Sequence, residues 1–187
     1  MNRTEFIKTN MFGKILDVGC EGGFLHDLLG MNEVYGLDIK IKKYKKNGVK
    51  GDAQNVPFKN KTFDTIIAGE TVEHLINPKK FLMECNRILK EKGIIILSTP
   101  NKKSWVNRLF RSSYHHSHIS LFDSRQLIKV VNHYFFIEKF FYLPYDAVSS
   151  FGSKHKNFYW LRKIVHYFIP KNLKENMILL GRKRNVI

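Results

Sequence analysis

The chain of 187 residues contains no run of about 18 uninterrupted apolar side chains, the length a helix needs to cross a bilayer. No long apolar stretch precedes the first strand-like segment at Ile15, so the pattern of a secretory signal is missing as well. Cysteine is scarce. Cys20 and Cys85 fall at a strand end and in a helix-like segment, which is not the spacing of a disulfide scaffold. These absences argue against a secreted or spanning protein and make the reducing cytoplasm the expected compartment. Repeats and low-complexity linkers are also lacking, and the length suits one domain with a sizeable core, so residues 1–187 are expected to form a single domain.

Acid is the second scarcity. Residues 1–100 carry 16 Lys and Arg against 12 Asp and Glu, whereas residues 101–187 carry 16 against 4, within a total net charge of +16. Neither residues 92–122 nor residues 147–174 contain any acidic side chain. The same later portion holds 17 of the 25 aromatic residues and six of the eight histidines. Basic charge beside flat apolar surface would attract RNA, an anionic membrane surface or a phosphorylated metabolite. A lysine-rich solvated surface is the plainer account.

Strand-like and helix-like segments alternate from residue 14 to about residue 99, which argues for an α/β fold with parallel strands and crossover helices. Strands are expected at 14–18, 33–38, 48–51, 63–68 and 93–98, short apolar runs suited to burial on both faces. Residues 78–90 place Phe81, Leu82, Cys85, Ile88 and Leu89 at helical spacing, and Gly93 reads as the stop. A helix over 124–132, capped by Asp123 or Ser124, precedes strands at 135–143 and 177–182, which are expected to pair antiparallel at one edge.

The run Ile15, Leu16, Asp17, Val18, Gly19, Cys20, Glu21, Gly22, Gly23 reads as strand, glycine turn and helix start, where backbone N–H groups face a ligand. Counting from Gly19, a dinucleotide fingerprint would need glycines where Glu21 and Phe24 stand, and no loop ends in Gly-Lys-Ser/Thr. Asp17, Gly19 and Gly23 instead match the first motif, Asp-x-Gly-x-Gly-x-Gly, of the class I S-adenosylmethionine-dependent methyltransferases, which the chain resembles, in particular the small type 11/23-like members. Glu21 departs from it at the middle glycine. Asp38, after Val34, Tyr35, Gly36 and Leu37, stands where a carboxylate can accept both ribose hydroxyls.

Gly48 to Ala53, the Phe63–Asp64 strand, the Glu70–His74 turn and Arg87 to Gly93 follow in the family's order. The resemblance covers about residues 14–100, the cofactor half, and 101–187, the acceptor half, only in outline. It implies a Rossmann-like three-layer sandwich with a mostly parallel seven-stranded sheet and an antiparallel C-terminal edge strand. It also implies S-adenosylmethionine as cofactor, held by Asp17, Gly19, Cys20, Glu21, Gly23, Asp38, Ile39, Asp52, Ala53 and Glu70, with Asp52 at the adenine.

A sulfonium methyl is already activated, so the enzyme mainly aligns the acceptor and excludes water. His74 and His118 are the expected bases for a hydroxyl acceptor. At spacings of three and four, Glu70, Glu73 and His74 would share one side of a helical turn, and with His118 they are the candidate ligands for a divalent ion. Glu-x-x-Glu-His followed by Ser98, Thr99, Pro100, Asn101 and the histidines up to His118 is similar to the small-RNA 3′-terminal 2′-O-methyltransferases, and the Glu-His step to quinone-precursor O-methyltransferases. The plainer account has no resident metal, with Glu70 toward the cofactor, Glu73 capping a helix and His118 fixing its loop by hydrogen bonds.

Only about 13 residues precede the first strand, so the acceptor's cover is expected from 102–121, with Trp105, Phe110, Arg111 and Tyr114, or from 144–175. Within the latter, 158–169 is amphipathic and basic, suited to packing on the sheet or to an anionic membrane surface. The leading expectation is methylation of an oxygen or nitrogen of a small or lipid-linked acceptor by a cytoplasmic enzyme, peripheral to a membrane if that helix binds lipid. RNA ribose methylation is the alternative, and a noncatalytic scaffold is the reading of another class.

Overall fold

The computed structural model describes residues 2–20, 33–41, 47–105, 118–143 and 168–185. Helix α1 (Arg3–Asn10) opens on a capping box, in which the Asn2 side chain accepts from the Glu5 N–H at 2.8 Å and the Glu5 carboxylate accepts from the Asn2 N–H. Seven strands follow: β1 (Ile15–Val18), β2 (Val34–Asp38), β3 (Gly48–Lys50), β4 (Phe63–Gly69), β5 (Leu89–Pro100), β6 (Phe135–Leu143) and β7 (Asn176–Lys183). Helix α2 (Pro78–Ile88) lies between β4 and β5, and α3 (Ser124–Val131) before β6.

The strands form one sheet in the order β3-β2-β1-β4-β5-β7-β6. Neighbours among β1 to β5 are parallel, while β7 runs antiparallel to both β5 and β6. The antiparallel C-terminal strand thus sits one place in from the edge. Its run Met177, Ile178, Leu179, Leu180 is buried throughout, which suits an interior strand, whereas β6 alternates buried and exposed positions as an edge strand does.

Alternation along the strands divides the core between two faces. Leu16, Val18, Ile66, Ala68, Ile95 and Leu97 pack with Phe81, Leu82, Cys85 and Ile88 of α2 and Leu127 and Val131 of α3. Ile15, Ile67, Ile94 and Ile96 pack on the opposite side with Phe6 and Ile7 of α1. With helices on both faces, the sheet is the central layer of a sandwich.

The expected helix over 78–90 stops at Ile88, and β5 begins four residues before Gly93 because buried Leu89 pairs with Phe63. Helical spacing alone cannot separate a last helical leucine from a first strand leucine.

Beyond β5 the C-terminal part of the chain is tied down by Asn101, which is 1% exposed. Its Nδ2 donates to the Asn172 and Lys174 carbonyls at 2.9 Å each, its Oδ1 accepts from the Lys103 N–H at 3.0 Å, and its own N–H donates to the Glu175 carbonyl. Asn101→Ala strands two carbonyls and is expected to cost about 2–3 kcal/mol, read as a lower urea midpoint at unchanged m-value.

Candidate active site

The strand order reverses between β1 and β4, which leaves a crevice beyond their carboxyl ends, the usual ligand position in such sheets. Gly19 leaves β1 there with a φ of +78°, and its N–H donates to the Leu37 carbonyl at 2.9 Å. The Thr71 side chain fills the space where a β-carbon would project from Gly19, and its hydroxyl donates to the Val18 carbonyl at 2.9 Å. Both require glycine at this turn.

Acid lines the crevice. Asp17 is 7% exposed, and burial pushes its carboxyl up to about 7, the nearby Asp38 charge adding to the shift and the Arg3 guanidinium opposing it. Cys20 beside it is buried, and burial, then Asp17 and Asp38, push its thiol up to about 12, so it is no nucleophile. Asp38 ends β2 half-buried, one oxygen accepting from the Lys40 N–H at 2.8 Å, and Ile39 next to it is 63% exposed. Asp52 follows β3 in the open, with Oδ1 accepting from the Gln54 N–H at 2.8 Å, and Ala53 packs against the core. A buried carboxyl with a raised pKa, Asp17, beside a glycine turn fits a cationic ligand that returns it to the ionised form. Glu21 and Gly23 lie outside the described residues.

Glu70 parts from the histidine cluster. It has a φ of +52°, its N–H donates to the Ser98 carbonyl, and its carboxylate meets Arg3 Nη1 at 2.9 Å. Helical geometry begins only at Val72, as a short 3-10 turn ending at His74. The expectation that Glu70, Glu73 and His74 share a side is therefore corrected, because the left-handed residue sends Glu70 toward α1. Arg3 escaped the sequence reading. The Asn2 to Glu5 capping pattern that announces its helix was the available signal.

Glu73, His74 and His118 do come together. Their ligand-type atoms all lie within 4.8 Å of one another, and the two imidazole rings stand 4.8 Å apart between centroids at 61°. The backbone achieves this. The Ile119 and Ser120 N–H groups donate to the Glu73 carbonyl at 2.8 and 2.9 Å, and Ser120 Oγ donates to the Leu75 carbonyl at 2.8 Å, so residues 118–122 lie across the turn after β4.

Glu73 is fully buried, and its Oε2 accepts from Thr99 Oγ1 at 3.1 Å. Oε1 has no hydrogen-bond partner among the described residues. Burial, reinforced by Glu70, pushes this carboxyl up to about 8 against the pull of Thr99 and Arg3. Glu73 is thus no helix cap, contrary to the plainer account, since its side chain turns inward to β5.

Residues 16–97 match the family described as Methyltransferase domain. These residues are a methyltransferase domain. An uncharacterized protein of Methanocaldococcus jannaschii is 28% identical over 184 residues, covering 92% of this chain and 76% of that one. The ubiquinone biosynthesis O-methyltransferase of Pelagibacter ubique is 35% identical over 117 residues, covering 54% of this chain and 48% of that enzyme. The matches span between 29% and 48% of the ubiquinone O-methyltransferases, and 37% of a further archaeal relative. In three dimensions the chain superposes on a SAM-dependent methyltransferase from Archaeoglobus fulgidus with a TM-score of 0.70 at 18% identity, covering 96% of this chain and 92% of that one. The fold is that of the S-adenosylmethionine-dependent methyltransferases, and domain and fold imply S-adenosylmethionine as the cofactor.

Proposed function

We propose that this protein methylates an oxygen of a small acceptor, with the cofactor in the crevice at Gly19 and the acceptor against His74 and His118. The observation that carries the reading is the convergence of the two imidazoles at the carboxyl end of β4, next to that crevice. The ubiquinone biosynthesis O-methyltransferase relatives support the same reading, an oxygen acceptor on a small molecule.

When bound, S-adenosylmethionine supplies a methyl group on a positively charged sulfur, which leaves as a neutral thioether. The remaining tasks fall to the chain. Asp38 would hold the ribose hydroxyls as acceptor, Asp52 would meet the adenine, and the Gly19 turn would let the backbone approach. One of His74 and His118 takes the acceptor's hydroxyl proton as the oxygen–carbon bond forms, and the other orients it. Base catalysis of this kind is worth about 10²–10⁴-fold.

Transfer of a labelled methyl group to phenols, catechols and amines tests the proposal. Product is expected from a hydroxyl compound. His74→Ala and His118→Ala are expected to lower kcat by about 10²-fold or more with unchanged affinity for S-adenosylhomocysteine. Labelled amines alone would overturn the oxygen assignment, and calorimetry with no binding of cofactor or demethylated product would leave only a scaffold. Asp38→Ala is expected to weaken cofactor binding at least tenfold while moving the melting temperature little, as a half-exposed acid at a strand end adds little to packing.

A second reading is favoured by Glu73, whose buried Oε1 has no hydrogen-bond partner among the described residues and whose carboxylate lies within 4.8 Å of both imidazoles. Carboxylate and imidazole donors suit a divalent ion, which would polarise an acceptor oxygen, with Glu73, His74 and His118 as its holders. If so, Mn²⁺ raises the melting temperature of the wild type and not of Glu73→Gln. Methyl transfer that persists undiminished in chelator rules the ion out.

A further inference from the structure

A cavity of about 590 Å³ opens to solvent beside His118, between the start of α2 and the segment leading into α3. Its size is that of a small-molecule site. Phe122 and Val130 supply apolar wall, while Asn77, Lys79, Lys102 and Gln126 supply its polar lining. Among the described residues no carboxylate lines it.

The polar groups are biased toward donors. Asn77 Oδ1 accepts from the Lys80 N–H at 3.1 Å, and Gln126 Oε1 accepts from the Asp123 N–H at 3.0 Å. Each amide has committed its oxygen to a helix start, which leaves the NH₂ end to meet a ligand. Lys79 and Lys102 form no ion pair among the described residues, unlike neighbouring Lys103, which meets Asp123 at 3.3 Å. Two uncompensated ammonium groups, two amide donors and apolar wall complement a ligand with a compact dianion on a flat or aliphatic body.

We infer that this cavity binds a phosphate monoester group of the acceptor, a soluble small molecule whose hydroxyl end reaches His118. The inference rests on the reading that the acceptor is methylated at the His74–His118 cluster. It adds that substrate choice is made by charge at the far end of the acceptor, through Lys79 and Lys102, rather than at the reacting oxygen.

The test uses the full chain with phenyl phosphate as probe and phenol as its neutral counterpart, both followed by calorimetry. Phenyl phosphate is expected to bind at least tenfold tighter than phenol. Lys79→Ala/Lys102→Ala is expected to erase that tenfold preference, and Gln126→Glu to reduce it similarly. Affinity for S-adenosylhomocysteine should stay within twofold in both, and the melting temperatures should match the wild type, since all three side chains are exposed. The inference is overturned if the double variant binds phenyl phosphate as the wild type does, or if Lys59→Ala, before β4, loses as much. It is equally overturned if the wild type ignores phenyl phosphate and binds only vesicles containing phosphatidic acid. Loss of S-adenosylhomocysteine binding in the wild type would instead sink the methyl-transfer reading, and the phosphate arm would still be read by itself.

Discussion

Gly19→Ala is expected to lower stability by about 3 kcal/mol and to weaken S-adenosylhomocysteine binding by at least tenfold. Two costs add. At a φ of +78° a side chain is strained by about 1–2 kcal/mol. The new β-carbon would also stand 2.4 Å from Thr71 Oγ1 and 3.2 Å from its methyl group, so Thr71 must move. Moving it breaks the buried hydrogen bond to the Val18 carbonyl, worth about 1–2 kcal/mol. The backbone displacement then carries into the loop where the cofactor is proposed to sit.

The double variant Gly19→Ala/Thr71→Ala separates these costs. It removes the clash and keeps the dihedral strain, so it should recover part of the lost affinity although Thr71→Ala by itself costs stability. Urea denaturation and calorimetry on the four proteins complete the cycle. Wild-type affinity in Gly19→Ala would show that the ligand sits elsewhere.

Thr71 marks where sequence reasoning reached its limit. The glycine loop, Asp17 and Asp38 were legible because motif and strand lie side by side in the chain, and β6 has the bounds expected for it. Paired partners far apart in sequence were not. Thr71 meets Val18 across 53 positions, and Arg3 meets Glu70 across 67. No periodicity encodes either contact. Glu70 misled for a local reason: spacing of three and four implies a shared face only if the residues are helical, and Glu70 is left-handed. His74 and His118 were grouped from their chemistry, as candidate ligands of one ion, but what joins them was not legible, because backbone N–H groups of Ile119 and Ser120, which every residue carries, make the join. The amphipathic segment over 158–169 lies almost wholly outside the described residues, and no described helix is long and apolar enough to cross a membrane.

The ligand-free protein is expected to lose stability as pH rises from about 5 to 8, opposite to the trend set by paired surface acids. Asp17 has its carboxyl at about 7 in the folded protein, against 3.8 when solvated. Between those values the unfolded chain has released a proton that the folded one still holds, so stability falls with rising pH and levels off above about 7. At 1.36 kcal/mol per unit, Asp17 accounts for on the order of 4 kcal/mol, about 10 °C in melting temperature. Glu73, at about 8, adds a slope of the same sign that extends further. Glu84 and Asp123 work oppositely: the Arg87 guanidinium and the Gln126 N–H hold them below the usual carboxylate range, and their contribution is lost only as pH falls through that range. Stability should therefore peak near pH 5. Asp17→Asn should flatten the slope up to pH 7 and leave the Glu73 share. A cationic ligand ionises Asp17, so S-adenosylmethionine binding at pH 6 should release protons, seen as a binding enthalpy that changes with the buffer's ionisation enthalpy in the wild type and less in Asp17→Asn. Melting temperatures that rise steadily from pH 5 to 8 in chelated, ligand-free protein would show that Asp17 is ionised in the fold.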